Sequence, residues 1–236
     1  MFRDEFQSKI FTLADLPSEI LQNRMACWLD AQDLSHFSQT SHSYYTLFKY
    51  PPLKVAYLLK QVVKSDYDSV ETILEQDASL LLRKGQARDC CRTFQDITAF
   101  QYALWALDWQ MWTIMLFYFY KKKQMSQALQ QLEELESRGT PYGIYYDFMP
   151  LIISLDNYVK YSDCWWSCDT CTEYWNKSVY TIRKDVPAHV ANNCRRERIP
   201  DYLHAVTDLY ETSHSMLAKL KQELMLQCVF QLRTPS

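Results

Sequence analysis

Residues 62–76 read VVKSDYDSVETILEQ, and residues 104–118 carry the same pattern as LWALDWQMWTIMLFY. Position 62 aligns with position 104, so the two copies are offset by 42 residues. Asp66 aligns with Asp108, and apolar residues recur at helical spacing around both. Each stretch predicts a pair of short antiparallel helices. Such a pair cannot bury its own apolar face and needs stacked neighbours. We therefore predict a repeated helix pair whose shared core holds Trp105, Trp109 and Trp112.

The composition supports an all-α fold. Only 3 of the 236 residues are glycine, which leaves few left-handed turns, bulges or phosphate-binding loops. The net charge of -3 gives no electrostatic reason to expect nucleic acid as a partner. The longest apolar run, residues 111–120, is about half of the ~20 residues that a membrane helix needs. We expect neither a nucleic-acid partner nor a membrane span.

Prolines and polar segments divide the chain into three regions. Residues 1–50 predict a small helical module that Pro51 and Pro52 end, since proline lacks a backbone N–H. Residues 53–122 hold the repeated helix pairs, joined by a polar, hairpin-like connection over residues 83–98. Residues 123–236 predict a C-terminal helical region, in which Tyr202–Leu232 is an amphipathic helix or helix pair.

Residues 16–34, LPSEILQNRMACWLDAQDL, contain Leu-Pro, then Glu and an apolar pair, then Leu-Asp and Asp-Leu. This order resembles an F-box over about forty residues. The chain has one residue more than usual before Leu29-Asp30, and Arg24 stands where an apolar residue is common. Met25 is the apolar side chain nearest to that position.

The F-box resemblance implies binding to the Skp-family adaptor of cullin–RING (SCF) ubiquitin ligases through an apolar surface led by Leu-Pro. The residues implied in that surface are Leu16, Pro17, Ile20, Leu21, Met25, Leu29, Leu34 and Phe37. Periodicity alone also fits a second interpretation, in which the same apolar stripe packs inside its own domain.

Residues 98–103, TAFQYA, loosely resemble the T-P-L-H-x-A opening of an ankyrin repeat, although the offset of 42 exceeds the roughly 33 residues of a standard repeat. Together with residues 145–159 and 185–197, these features resemble a group of F-box and ankyrin-like effectors from Legionella. The resemblance implies degenerate ankyrin-like repeats, type IV secretion into a host cell and action in the host cytoplasm. It also implies host ubiquitin ligase components as partners.

The eight cysteines favour reduced thiols, because no signal peptide is visible and a chain of this size needs no disulfide staples. Cys164, Cys168 and Cys171 could bind zinc with His189 or Cys194 as a fourth ligand, but a second C-x-x-C or a close Cys/His pair is missing. A Cys194–His189 hydrolase lacks a recognisable nucleophile context. We therefore expect free thiols, no metal and no cofactor.

The sequence thus favours a non-enzymatic adaptor that brings a target protein to the ligase or sequesters it. Repeat proteins bind partners through hairpins and inner helices, which makes Arg88, Asp89, Arg92 and Phe94 the candidate target-binding residues. Two alternatives stay open: a cysteine-dependent enzyme of the ubiquitin system with its site in residues 145–200, and an effector whose F-box-like helices are purely structural.

Overall fold

The structure, a computed structural model, describes residues 16–21, 25–26, 29, 31–49, 52–162, 168–193 and 199–231. These residues are mostly helical, which confirms the all-α class, and they include one two-stranded sheet. The helices are α1 (Ser18–Ile20), α2 (Ala31–Thr40), α3 (His42–Lys49), α4 (Pro52–Val63), α5 (Tyr67–Gln76), α6 (Ala99–Trp105), α7 (Trp109–Lys121), α8 (Met125–Arg138), α9 (Met149–Ser162), α10 (Cys168–Tyr174), α11 (Tyr180–Arg183), α12 (Ala188–Asn193) and α13 (Ile199–Gln231). A 3-10 helix (Ala78–Leu82), a π-helix (Trp175–Val179) and the strands β1 (Gly85–Arg88) and β2 (Thr93–Ile97) complete the described elements.

The predicted helix pairs are present as α4–α5 and α6–α7, and the same turn joins each pair. Ser65 and Leu107 adopt the left-handed conformation, at φ 55° and 58°. The next residues, Asp66 and Asp108, cap the following helix by accepting a hydrogen bond from the backbone N–H three residues later, at 3.2 and 3.1 Å. The two turns are therefore equivalent in geometry at positions 42 residues apart.

Backbone hydrogen bonds close both turns in the same way. The N–H of Asp66 donates to Gln61 O, and the N–H of Asp108 donates to Ala103 O, each at 3.0 Å. This six-to-one bond, with a left-handed residue before it, defines the Schellman motif that ends many helices. Lys123, at φ 56°, forms a third such turn between α7 and α8.

The polar connection between the two helix pairs contains an antiparallel β-hairpin. Gly85 pairs with Ile97 and Ala87 pairs with Phe94, with a register shift between Gly85 and Ala87. β1 packs on α4 so closely that a Cβ on Gly85 would lie 2.8 Å from Leu59 Cδ1. The absence of a side chain at position 85 is therefore what lets the hairpin approach the first helix pair.

A buried polar network ties the start of α6 to α8. Thr98 and Gln101 form a capping box at the N-terminus of α6. The Thr98 hydroxyl donates to Gln131 Oε1 at 2.6 Å, and Gln131 Nε2 donates to Leu81 O at 3.0 Å. Because its members are hydrogen-bonded to one another, the network fixes α8 against both the second helix pair and the 3-10 helix.

One hydrophobic core runs from Val55 to Leu224 and so crosses the boundary predicted between residues 122 and 123. Trp105 and Trp112 are buried in it, as predicted, and Trp109 packs against it while half-buried. The C-terminal segment forms the single helix α13, which packs against α8 and α9. None of the described helices is both long and apolar enough to span a membrane.

Candidate partner-binding surfaces

The Leu-Pro segment forms a tight turn that separates exposed from buried apolar residues. The N–H groups of Ile20 and Leu21 both donate to Pro17 O, at 3.0 and 3.2 Å. Pro17 sets the entry to this turn with its ring-restricted φ of -55°. Ile20 is 42% exposed, whereas Leu21 is 4% exposed. The turn therefore presents one side to solvent and buries the other.

The buried side of the module packs on the first repeat helix. Leu21, Leu34 and Phe48 form a small core together with Ala56, which belongs to α4. The Phe37 ring meets the Phe48 ring edge-on at a centroid distance of 6.0 Å. Apolar packing thus fastens the module to the repeats.

The residues predicted to bind a Skp-family adaptor differ in how accessible they are. Pro17 and Ile20 are exposed, Leu16, Met25, Leu29 and Phe37 are half-buried, and Leu21 and Leu34 are buried. We name Leu16, Pro17 and Ile20 the N-terminal edge. The predicted extra residue near Arg24 lies outside the described residues.

Asp89 and Arg92, two of the predicted target-binding residues, are held at the hairpin tip. Arg92 Nε donates to Asp89 Oδ2 at 2.9 Å, and the side chains are 12% and 7% exposed. The Arg92 guanidinium also lies 4.9 Å from the Trp105 ring centroid and 5.2 Å from that of Tyr146. Arg92 and Asp89 are therefore mostly buried and stabilise the hairpin tip.

The other two predicted target-binding residues lie on opposite sides of the hairpin. Phe94 is 1% exposed, and its ring packs against Tyr102 and Trp105 at centroid distances of 5.2 and 4.5 Å. Arg88 is exposed. Of the four residues, Arg88 has the side chain most accessible to a target protein.

Two adjacent thiols fasten the hairpin tip to the segment after α11. Cys90 Sγ donates to Lys184 O, and Cys91 Sγ donates to Asp185 Oδ1, both at 2.9 Å. The Asp185 carboxylate, followed by Cys90, raises the pKa of the Cys91 thiol to about 12. Cys91 is thus exposed yet protonated at neutral pH, which is the opposite of what a cysteine nucleophile needs.

A buried polar cluster stands at the second repeat turn. The Tyr67 hydroxyl donates to Asp108 Oδ1 at 3.2 Å, and His189 Nδ1 lies 4.0 Å from Asp108 Oδ2. Burial and then the Asp108 carboxylate raise the pKa of Tyr67. Burial lowers the pKa of His189, and Asp108 opposes that shift. The cluster is therefore a neutral tyrosine and a neutral imidazole around one carboxylate.

The cysteine and histidine residues considered for catalysis or zinc do not form a site within the described part of the chain. Cys164 and Cys194 lie outside the described residues, and Cys171 is a free, half-buried thiol. No three potential metal ligands come together among the described residues. His189 was considered both as a zinc ligand and as the partner of Cys194 in a hydrolase. It is 2% exposed and faces Asp108.

Two adjoining cavities flank α4, and the sequence analysis assigned no role to their residues. One, of about 620 Å³, lies between α2 and α4, and the other, of about 380 Å³, lies between α4 and α5. Lys54 and Tyr57 line both, so we name them together the α4 groove. Tyr57 is 48% exposed beside the fully buried Leu58 and Leu59, a difference between neighbouring apolar residues that only the structure shows.

Comparison with known proteins gives one distant relationship. No family model and no solved structure matches the chain. The chain is similar to an uncharacterized protein of the bacterium Coxiella burnetii, with 34% identity over 160 residues. The matched part covers 58% of this chain and 46% of that protein. The chain therefore spans less than half of the length of this relative.

Proposed function

We propose that this chain is a non-enzymatic adaptor that docks on the host Skp-family subunit of a cullin–RING ubiquitin ligase. One observation supports this proposal above the others: Pro17 and Ile20 of the N-terminal edge are exposed to solvent, while the apolar residues behind them pack on α4. Exposed apolar side chains grouped on a well-packed element are typical of protein-binding sites. The sequence of that edge is the Leu-Pro start of the F-box resemblance.

The proposed mechanism is proximity. An adaptor holds a target near a ubiquitin-charged enzyme and raises its effective concentration there, so the chain itself needs no catalytic group. A target held out of reach of that enzyme would instead be sequestered. The continuous core from Val55 to Leu224 and the smaller core that joins the module to α4 suit either role, because together they hold the module and any bound target in a fixed relation.

The repeat geometry supports the ankyrin-like part of the proposal. The hairpin β1–β2 directly precedes α6, and the Thr98 capping box opens that helix at the position of the T-P-L-H resemblance. Helix pairs stacked with intervening hairpins form extended protein-binding surfaces in repeat proteins. Arg88, exposed on β1, is the hairpin residue best placed for a target.

The similarity to a protein of Coxiella burnetii supports a bacterial source for the chain. Together with the resemblance to Legionella effectors, it supports the proposal that a bacterium delivers the chain into a host cell by type IV secretion. The adaptor would then act in the host cytoplasm, where its Skp-family partner resides.

Co-elution on size-exclusion chromatography with a recombinant host Skp-family adaptor tests this function. We expect the wild-type chain to form a complex and Pro17→Ala/Ile20→Asp to elute alone. Ile153→Asp is the matched control, because Ile153 is also exposed, at 53%, but lies on α9. Circular dichroism checks the folding of each variant. A wild-type chain that is folded and does not co-elute would contradict the proposal.

A further inference from the structure

Two neighbouring thiols occupy the bend of the β1–β2 hairpin. Cys90 and Cys91 are both free and both exposed to solvent. Their side chains also contact one another. An exposed thiol pair can react with an oxidant in solution, which a cysteine enclosed in a core cannot do.

Asp89 fixes the backbone around the two thiols. Its Oδ1 accepts hydrogen bonds from the N–H groups of Cys91 and Arg92, at 3.0 and 2.7 Å, and its own N–H donates to Arg92 O at 3.1 Å. None of these three bonds uses a cysteine sulfur. The bend therefore keeps its backbone bonds when the sulfurs change chemically.

The two sulfurs instead fasten the tip to the connection between α11 and α12. Cys90 Sγ donates to Lys184 O, and Cys91 Sγ donates to Asp185 Oδ1. Both bonds need the thiol hydrogen, because a sulfur without it has nothing to donate. Arg92, whose guanidinium donates to Asp185 O, keeps its bond when both thiol hydrogens are lost. The dithiol form therefore holds the tip more tightly than an oxidised form does.

The two acceptors decide which thiol reacts first. A thiolate at Cys91 would be repelled by the Asp185 carboxylate, whereas Cys90 Sγ faces a neutral carbonyl oxygen. Cys90 is therefore the thiol that attacks an oxidant. Cys91 is the adjacent thiol that resolves the product, an arrangement that is common among redox-sensing cysteines.

We propose that Cys90 and Cys91 form a modification site that hydrogen peroxide converts to a disulfide between neighbouring residues. Cys90 Sγ attacks the peroxide and its O–O bond breaks, which gives a sulfenic acid and one water. Cys91 Sγ then bonds to Cys90 Sγ while the S–O bond breaks, and the oxygen leaves with the Cys91 hydrogen as a second water. Two thiols are oxidised, one peroxide is reduced, and both thiol bonds to Lys184 and Asp185 are lost. The site uses no residue of the N-terminal edge and does not depend on adaptor binding.

The disulfide is easily reduced again. Neighbouring Cα atoms are about 3.8 Å apart across a trans peptide bond. Unstrained disulfides join Cα atoms about 4.4 to 6.8 Å apart, so the bond between neighbours is strained. Strained and exposed disulfides are the labile ones. A cellular thiol such as glutathione therefore restores the dithiol and, with it, both bonds of the tip.

Mass spectrometry of the reduced full chain after treatment with a small excess of hydrogen peroxide tests the site. N-ethylmaleimide blocks the remaining thiols, and trypsin, which cleaves after Arg88 and Arg92, releases the peptide DCCR. We expect an unblocked DCCR that is two hydrogens lighter than the dithiol and that returns to the dithiol with glutathione. A DCCR peptide that stays blocked at both sulfurs, or that pairs with another cysteine, would overturn the proposal.

Single variants separate the roles of the two thiols. Cys91→Ser leaves Cys90 without its resolving partner, so we expect a sulfenic acid there that dimedone labels. Cys90→Ser should leave Cys91 without label, because Cys91 does not attack the peroxide. Cys171→Ser is the matched control and should form the disulfide as wild type does. Equal labelling of Cys90 and Cys91 would overturn the assigned order.

Hydrogen exchange measures the release of the tip. In the oxidised chain, the amides of residues 182–187 should exchange about fivefold faster than in the reduced chain, because this segment loses both thiol bonds. Cys90→Ser/Cys91→Ser keeps a hydroxyl donor at each position and cannot form the disulfide, so peroxide should leave its exchange unchanged. Equal acceleration in this variant, or no acceleration in wild type, would overturn the release of the tip.

Discussion

His189 is a buried ionisable residue whose two ring nitrogens find no hydrogen-bond partner among the described residues. Asp108 Oδ2 lies 4.0 Å from His189 Nδ1, and the Phe148 ring packs edge-on at a centroid distance of 6.3 Å. Burial lowers the pKa of His189 despite the carboxylate. The imidazole is therefore neutral at pH 7. Its protonation costs more free energy in the folded state than in the unfolded state.

This burial predicts acid sensitivity. Because the folded pKa of His189 lies below the unfolded value near 6.5, the unfolded state binds the proton first. The free energy of unfolding should be highest above pH 6.5 and fall as the pH decreases, by at most about 1.4 kcal/mol per pH unit from this residue. Urea unfolding between pH 5 and 7.5 measures this change in the free energy of unfolding.

His189→Gln should flatten the pH dependence relative to wild type, while the exposed His204→Gln should leave it unchanged. If the free energy of unfolding changed with pH equally in His189→Gln and in wild type, the acid sensitivity would not come from His189.

Cys91 provides a second prediction at the residue scale. Its hydrogen bond to Asp185 and its contact with Cys90 keep the thiol protonated, with a pKa of about 12. Iodoacetamide, which reacts with the thiolate, should therefore modify Cys91 slowly at pH 8 despite its exposure. Asp185→Asn should accelerate that modification, measured by mass spectrometry, whereas Asp201→Asn should not. An unchanged rate in Asp185→Asn would show that the carboxylate does not control this thiol.

At the scale of the helices, the two repeat turns allow a matched comparison. Asp66 and Asp108 both cap a helix and both accept a hydroxyl, from Ser69 and from Tyr67. Asp108 is buried, whereas Asp66 and Ser69, its hydroxyl donor, are neighbours at one partly exposed turn. Asp66→Ala should cost about 1 kcal/mol, the usual value of an N-cap. Asp108→Ala should cost about 2 to 3 kcal/mol, because it also leaves a partly buried hydroxyl without its acceptor. Equal losses in urea unfolding would contradict the role of the Tyr67 bond.

The turn after α7 predicts a stabilising substitution. Lys123 is exposed and held at φ 56°, a conformation that costs a side-chain-bearing residue about 1 kcal/mol or more. Lys123→Gly should therefore raise the free energy of unfolding by about 0.5 to 1 kcal/mol. Lys122→Gly, at φ -91°, relieves no such strain and should be neutral or destabilising. A thermal melt in which Lys123→Gly loses stability would contradict this reading of the turn.

Local signals in the sequence predicted these elements well. The spacing of apolar residues is a short-range pattern, so the alignment of residues 62–76 with residues 104–118 located both helix pairs. The capping roles of Asp66 and Asp108 became visible only in the structure. The spacing of Tyr202–Leu232 fitted one helix or two, and the structure has one, with no glycine or proline between Pro200 and its end at Gln231. The surroundings of Arg92 could not be predicted, because Trp105 and Tyr146 reach it only through the tertiary fold.

At the scale of the whole molecule, long-range packing joins what sequence patterns separate. The prediction divided the chain at residues 122 and 123, where a lysine run and a turn interrupt the periodicity. In the structure α8 and α13 complete the core of the repeats, so the apolar faces on both sides of that turn meet one another. Periodicity shows which face of a helix is apolar but not which neighbour covers it.

The candidate surfaces also depend on long-range packing that sequence patterns do not show. Leu-Pro was visible as a motif, yet the sequence could not distinguish the exposed Ile20 from the buried Leu21, since that depends on how the turn lies against α4. The α4 groove was not predicted, because its walls come from three helices that are separate in sequence. Both surfaces share α4, which packs on the module on one side and lines the groove on another.

Adaptor binding is measured most directly by calorimetric titration of a purified host Skp-family adaptor into the wild-type chain, Ile20→Asp and Ile153→Asp. We predict saturable binding with one-to-one stoichiometry for wild type and Ile153→Asp. Ile20→Asp should bind roughly 30-fold more weakly, as expected for an interface residue worth about 2 kcal/mol. No heat of binding for a folded wild-type chain, or equal affinities for Ile20→Asp and Ile153→Asp, would contradict the proposal that the N-terminal edge docks on this adaptor.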